Sequence, residues 1–378
     1  MDVEEKLSLI MRFPTEEVLT GDELRQYLET GHQLRHYIGF EISGFVHIGT
    51  GIISMSKLVD LQRAGVKVSI LLADVHSWLN DKLGGNMDAI QRAAMGYFGE
   101  TLKKSIEVLG GDPGAVDFIL ASNMFRENEN YWYQVLDLAR QVTVSDAKHS
   151  LTIMGRKYGE SARLAWLIYP LMQVVDVYSL GTHIAQGGMD QRKAYVLARD
   201  VWDKIRLMPL RLGDKNVKPI ILLHHLIPAL NIKGTESREE LSEAKMSKSK
   251  PDTALFLHDS PEEVRRKISN AYCPAKVIDG NPVLDLARVF SFREARQSPF
   301  IIEKPPQFGG GKLEFWTFEE LAKSYEAGAV HPMDLKKAVA EEAVKAMEPF
   351  HKWFTTGPGA SLLEQMRQLM PRSSAGDH

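Results

Sequence analysis

Three groups of residues in this 378-residue chain have types and spacings that could do chemistry. The first is EAKMSKSKPD (243–252), which sets Lys245, Lys248 and Lys250 among small residues. Ammonium groups on such a segment could fold over a polyphosphate and stabilise charge building on a departing pyrophosphate. A solvated interdomain linker would have the same composition. The second is Phe45-Val46-His47-Ile48-Gly49, at the end of a strand-like run. A glycine there lets a ligand approach the backbone, a following helix offers free N–H groups to an anion, and the imidazole could donate to a phosphate. A tight turn with an incidental histidine would read the same way. The third is WLIYPLMQVVDVYSL (166–180), mostly apolar, in which Tyr169, Gln173 and Asp176 fall at i, i+4 and i+7. On a helix these lie within roughly 60° of one another, on one stripe. A carboxylate on a buried face is costly unless paired or hydrogen-bonded. The stripe is therefore either a satisfied internal network or one wall of a polar pocket. Gln191, in GGMDQRK (187–193), comes from a turn at another strand end and could join it.

The elements that must position these residues alternate in type. Strand-like runs fall at 34–42, 66–75, 115–122, 182–188 and 217–225, with helix-like patterns at 52–64, 128–142, 160–180 and 189–205. Asn86 is the expected N-cap of a long helix running to Leu109. Strands alternating with helices imply an α/β fold, a Rossmann-like, doubly wound parallel sheet with ligands at the carboxyl ends of its strands. After about residue 253 the pattern becomes mainly helical, opening on a capping box of Ser260 and Glu263, with further helices at 282–292, 317–326 and 333–354 and a hairpin or long loop at 300–318. The expected organisation is a catalytic domain over 1–240, a lysine-rich loop and linker over 241–253, and a helical domain over 254–378 with a frayed tail.

The totals exclude several classes. A net charge of -3 gives no global basic footprint, so a nucleic-acid partner would be met by local patches. Cys273 is the only cysteine, which rules out intramolecular disulfides and cysteine-built zinc sites and suits a reducing compartment. No His, Cys and acidic set has metal-ligand spacing, and no apolar run reaches the roughly 18 residues a membrane span needs. The expectation is a cytoplasmic protein.

Read together, HIGT at 47–50 and KMSKS at 245–249 resemble the two signature motifs of class I aminoacyl-tRNA synthetases. YIGFEISG (37–44), LLADVH (71–76), YPLMQVVD (169–176), GGMDQRK (187–193), AYCPA (271–275) and HPMDLK (331–336) resemble the tyrosyl enzymes of archaeal and eukaryotic type. The resemblance spans about residues 34–354, with one departure: Thr50 stands where the first motif usually has histidine. It implies roles residue by residue. Tyr37 and Asp176 would hydrogen-bond a tyrosine phenol; Tyr169, Gln173 and Gln191 would hold its α-ammonium group. Gly39 and Glu41 would lie near the adenylate. His47 and Gly49 would contact ATP, with the glycine leaving room for adenine, and Lys245 and Lys248 would grip the β- and γ-phosphates; Lys250 has no assigned role. Phe308 and Asp334 would read the first anticodon base, although Asp334 could equally be a helix cap. Lys148, with Arg192 and Lys193, would face the acceptor stem; His149, Arg156 and Lys157 belong to the same basic cluster. An insertion at about 123–160 would form a homodimer.

The implied reaction activates L-tyrosine with ATP and transfers it to the terminal ribose of tRNA(Tyr). ATP is a substrate, magnesium accompanies it and its pyrophosphate, and no dedicated metal site or covalent nucleophile is expected. Tryptophanyl-tRNA synthetase is the nearest alternative. A nucleotidylyltransferase and an inactive RNA-binding relative are further ones.

Overall fold

In the computed structural model, which describes residues 1–145, 147, 163–231, 251–294, 297–306 and 310–371, the strand-like runs become one six-stranded sheet. Its strands are β1 Thr15–Leu19, β2 Arg35–Phe40, β3 Lys67–Leu72, β4 Val116–Leu120, β5 Ile184–Gly188 and β6 Ile220–His224. They lie side by side in the order β1-β6-β5-β2-β3-β4. Strands β2 to β6 run parallel to their neighbours, and β1 closes the edge antiparallel to β6. The chain winds outward from β2 through β3 to β4, then returns to the other side of β2 for β5 and β6. The direction of winding therefore reverses between β2 and β5. In open sheets of this order ligands bind at that reversal, beyond the carboxyl ends of the strands. The doubly wound expectation holds.

Register decides which side chains can meet. Tyr37 pairs with Ala185 and Ile38 with Gln186, so Tyr37, Gly39 and Gly187 share one face of the sheet while His36 and Gln186 share the other. On that second face His36 Nε2 lies 2.9 Å from Gln186 Oε1, and Gln186 Nε2 donates to Ser54 O at 3.1 Å. His224 Nε2 lies 3.1 Å from Ser54 Oγ. The network has no access to water, and burial pushes His36 down to about 3 and His224 down to about 4.

The chain packs as two compact units, one formed by Met1–Phe45, Ser54–His225 and Ser361–His378, the other by Val46–Ile53 and Leu226–Ala360. The first contains the sheet. It also holds elements the sequence reading did not anticipate, the Val3–Met11 and Gly21–Glu29 helices and β1. Asn86 does cap a helix, its side chain accepting from Ala89 N–H at 3.0 Å, but the expected single run to Leu109 is divided by a π turn at Ala94–Phe98. Gly99 permits that turn: its N–H donates to Ala94 O five residues back, and a Cβ there would meet the same oxygen at 2.9 Å. The expected 128–142 helix is Asn130–Ala139, and a further helix that the sequence reading did not anticipate, Ala121–Glu127, precedes it.

The second unit is mainly helical. Ser260 and Glu263 form the anticipated capping box at the head of the Pro261–Asn270 helix. That helix and Pro282–Ser291 pack on the long Pro332–Thr355 helix, burying Val264, Ile268, Leu286, Leu335, Val339 and Met347. The 300–318 stretch is a hairpin of Phe300–Glu303 and Lys312–Phe315, followed by a helix over Phe318–Glu326. The cap of the long helix is His331, whose Nδ1 accepts from Met333 N–H at 3.2 Å, with Pro332 at the first helical position. Asp334 is thus not a cap but lies in the first turn.

The two buried histidines set a pH dependence. Their folded values lie below the ordinary histidine value of about 6.5, so below that pH the unfolded chain takes up protons the folded chain refuses. Stability is expected to be complete above about pH 6.5 and to fall as pH drops toward 4, by up to about 1.4 kcal/mol per pH unit for each histidine. Urea unfolding at pH 7 and pH 5 measures this, and Gln at both positions should flatten the difference.

Candidate active site

The stripe on the Leu164–Ser179 helix faces a cluster of phenols. Asp176 is 1% exposed and its Oδ1 accepts from Tyr131 Oη at 2.8 Å. His76 Nε2 stands 3.2 Å from Asp176 Oδ2, off the line of a hydrogen bond, and neither buried ring nitrogen has a hydrogen-bond partner among the described residues. Tyr37, on β2, is 1% exposed and donates to Tyr195, whose own hydroxyl donates to Gln186 O at 3.1 Å. Burial pushes the hydroxyls of Tyr37 and Tyr131 well above the ordinary phenol value and that of Tyr195 up to about 12. The Asp176 charge acts in the same direction on all three. These phenols keep their protons at neutral pH, and of the three Tyr131 donates to the Asp176 carboxylate.

At the other end of the stripe, Tyr169 Oη donates to Glu41 Oε1 at 3.0 Å. Glu41, one residue beyond β2, also accepts from Asn80 Nδ2 at 2.7 Å and has Lys82 Nζ 3.2 Å from its second oxygen. Gln173 Nε2 donates to Gln191 Oε1 at 3.1 Å, while Gln173 Oε1 is buried with no partner among the described residues. A buried polar atom left unpaired in a native fold calls for an explanation. Here an acceptor at Gln173 and two ring nitrogens at His76 flank the ends of one polar stripe.

Neighbouring elements hold this arrangement in place. Asp74, fully buried at the end of β3, accepts from Ser122 N–H at 2.9 Å and from Gln91 Nε2 at 3.0 Å. It thereby anchors the Ala121–Glu127 helix, which carries Phe125; that ring stacks on Tyr131 with centroids 4.0 Å apart. Ser77 Oγ accepts from Ile42 N–H at 2.7 Å and ties the chain after β2 to the His76 helix. Gly187 has a steric reason: a Cβ there would sit 2.4 Å from Tyr195 Cε2.

Of the residues singled out from sequence, Tyr37, Gly39, Glu41, Tyr169, Gln173, Asp176 and Gln191 belong to the first unit; hydrogen bonds pair Tyr169 with Glu41 and Gln173 with Gln191. A methyl on Gly39 would press on the Tyr37 ring at 3.3 Å. In the second unit, His47 Nδ1 accepts from Gly49 N–H at 3.0 Å, which leaves the ring proton on Nε2. Gly49 is needed for that fold-back, since a Cβ would meet His47 Cε1 at 2.8 Å. Arg192 pairs with Glu17 through contacts of 2.7 and 2.9 Å, and Lys193 follows it on the same helix. Lys148, His149, Arg156, Lys157, Lys245, Lys248, Lys250, Phe308, most of the 241–253 boundary and the tail beyond 371 lie outside the described residues. Sequence reasoning from spacing missed His76, Tyr131 and Tyr195. The one signal for His76 was its place just past the β3 run, in LLADVH; the two tyrosines come from helices whose periodicity marks them only as core. Among the described residues no group of three or more His, Cys, Asp or Glu side chains could hold a metal ion.

Comparison with known proteins shows the family of the chain. The family described as tRNA synthetases class I (W and Y) matches residues 29–348. The chain is similar to tyrosine–tRNA ligase 1 of Pyrobaculum aerophilum, 58% identical over 370 residues, covering 98% of this chain and 99% of that protein. Its fold is similar to the crystal structure of tyrosyl-tRNA synthetase complexed with L-tyrosine from Pyrococcus horikoshii, with a TM-score of 0.91 and 46% identity over 97% of this chain and 100% of that one. The tryptophanyl-tRNA synthetase of Aeropyrum pernix has a TM-score of 0.67 at 17% identity, covering 98% of this chain and 91% of that one, a likeness of fold alone.

Gly187→Ala tests the packing under the phenols. The added methyl must displace the Tyr195 ring, so the variant is expected to lose about 1–3 kcal/mol of stability in a urea titration. Unchanged stability would show that Tyr195 is not held where the geometry puts it.

Proposed function

The chain belongs to the class I tRNA synthetases of the tyrosine and tryptophan family, and we propose that within it the protein is a tyrosine–tRNA ligase. One observation carries the choice of tyrosine: the buried Asp176 carboxylate, one oxygen taken by Tyr131 and the other beside His76, in a cluster of protonated phenols. An acceptor so placed suits a substrate that brings a hydroxyl. A site built to hydrogen-bond a hydroxyl rejects the analogue lacking it by orders of magnitude, tyrosine against phenylalanine being the known example. An indole N–H could not satisfy Tyr37 and Asp176 together in the way a hydroxyl, which both donates and accepts, does.

The reaction follows in two steps. The tyrosine phenol lies between Tyr37 and Asp176, and its ammonium group meets Tyr169, Gln173 and Gln191, where the unpartnered Gln173 oxygen accepts from it. The carboxylate attacks the α-phosphorus of ATP; the bond to the bridging oxygen breaks and pyrophosphate leaves. His47 donates from Nε2 to the nucleotide phosphates, Gly49 lies beside it, and Gly39 and Glu41 border the adenylate. Lys245 and Lys248 neutralise the departing charge. A hydroxyl of the terminal ribose of tRNA(Tyr) then attacks the tyrosyl carbonyl and AMP leaves. Neither step needs a covalent enzyme intermediate; the protein supplies position and charge. Magnesium comes in on ATP and leaves on pyrophosphate, as part of the substrate.

For the tRNA, Phe308 stacks on the first anticodon base and Asp334 accepts from it, while Lys148, Arg192 and Lys193 face the acceptor stem. We take the helical residues from 254 onward as the anticodon-binding domain, with Ser361–His378, the last part of the expected 254–378 span, grouped with the first unit. We place the protein in the cytoplasm with its tRNA, and as a homodimer. Trp132, Tyr133 and Leu136 on the Asn130–Ala139 helix are 44%, 68% and 62% exposed, an apolar surface that a second copy would cover. No helix among the described residues is long and apolar enough to cross a membrane.

Pyrophosphate exchange tests the reading. Tyrosine is expected to support ATP–pyrophosphate exchange, with tryptophan and phenylalanine near background; exchange driven by tryptophan would overturn it. Asp176→Ala is expected to raise the tyrosine KM about 100-fold or more, the cost of a lost charged hydrogen bond in a dry site, with the ATP KM within about threefold. Light scattering checks the dimer, expected at twice the 42.5 kDa chain mass.

A further inference from the structure

The His47 turn rests, through one isolated β-bridge, on the Ala254–Leu257 segment of its own unit, here called the bridging strand. Ile48 N–H donates to Leu255 O at 2.9 Å, Leu257 N–H donates to Val46 O at 3.1 Å, and His47 sits opposite Phe256. The strand is held in turn by one buried pair. Lys267, on the Pro261–Asn270 helix, donates to Asp259 Oδ2 at 2.7 Å and to Ala254 O at 3.0 Å, and its ammonium lies 4.9 Å from the centre of the Phe256 ring. Asp259 Oδ2 accepts a second hydrogen bond from Phe256 N–H at 2.9 Å. Both side chains are 4% exposed.

A buried pair of this kind is not explained by stability. Removing two charges from water is expensive, and apolar residues of similar size often stabilise a fold as well or better. Burial pushes the Asp259 carboxyl up even with the ammonium beside it. What the pair does that apolar side chains could not is fix named backbone atoms. It holds Ala254 O from one side and Phe256 N–H from the other, and it covers the Phe256 ring. Those residues flank Leu255, whose carbonyl receives the Ile48 N–H. The pair thus sets the position of the strand, and the strand sets the position of His47 and Gly49.

We propose that Lys267 and Asp259 are positioning residues for the nucleotide-binding turn, fixing His47 against the ATP phosphates through the Ala254–Leu257 strand. The proposal rests on the ligase reading, in which His47 donates to ATP, and deepens it. The pair itself touches no substrate.

Full-length Lys267→Met, Asp259→Asn and Lys267→Arg test it, with kcat and both KM values taken from tyrosine-dependent pyrophosphate exchange and folding checked by thermal denaturation. A small displacement of a positioned group can cost up to about 100-fold. Lys267→Met is expected to lower kcat/KM for ATP at least about tenfold while the tyrosine KM stays within about twofold. Asp259→Asn keeps an acceptor for Phe256 N–H and is expected to show the same split in weaker form. Lys267→Arg, which keeps the charge and the donors, is expected to recover most of the loss. A folded Lys267→Met with wild-type ATP parameters would overturn the proposal. So would a loss shared equally by ATP and tyrosine, the mark of a general structural role; should Lys267→Met fail to fold, Asp259→Asn decides by the same split. Exchange by the wild type tests the ligase reading, and the ratio of variant to wild type tests the pair.

Discussion

A carboxylate at Asp176 has been placed where water cannot follow, near the end of a mostly apolar helix. A charge so buried must be compensated, and most of the cluster around it can be understood as the compensation. Tyr131 gives one oxygen a hydrogen bond and is itself held by the stacked Phe125 ring. His76 stands beside the other oxygen without bonding to it. Around them Tyr37 and Tyr195 stay protonated because burial makes a phenolate too costly. Of the phenols only Tyr131 donates to the carboxylate; the Tyr37 and Tyr195 protons are directed elsewhere. In the proposed reading a substrate hydroxyl completes the compensation at Asp176.

The sheet makes that arrangement possible. The winding reverses between β2 and β5, the place where open sheets of this order bind ligands, and the register of those two strands puts Tyr37 and Gly187 on the same face. A slip of one residue would exchange Tyr37 for His36, and the site for the His36–Gln186 network. The two faces carry different solutions to burial. One side links its polar groups through the His36–Gln186–Ser54 bonds, and burial drives its histidines neutral. The other carries Tyr37 beside the Asp176 cluster.

Several parts of this were legible in the sequence for definite reasons. Tyr169, Gln173 and Asp176 could be placed on one stripe because helical spacing is fixed, and the β3 run could be read as buried on both faces because it does not alternate. Gln191 could be linked to them because it follows a strand. Tyr131 and Tyr195 could not, since no local period relates them to Asp176; only the tertiary fold brings three helices to one point. The π turn at Ala94–Phe98 depends on a carbonyl meeting Gly99, a contact that composition does not announce. His331 could have been found as a cap from the proline after it; the acidic residue two positions beyond was the weaker signal. Gly49 was read as space for a ligand. The structure adds a reason internal to the turn, the fold-back of His47. The turn itself follows β2 in sequence but packs with the residues after Leu226, a grouping that chain order conceals.

Calorimetric titration of the nucleotide-free protein with tyrosine and with phenylalanine isolates the buried carboxylate from every later step. The account predicts saturable tyrosine binding and phenylalanine weaker by at least about 100-fold, because phenylalanine leaves the Asp176 oxygen and its neighbours desolvated and unpaired. Phenylalanine binding within tenfold of tyrosine would mean that Asp176 is already satisfied inside the protein and that the cluster is no hydroxyl site.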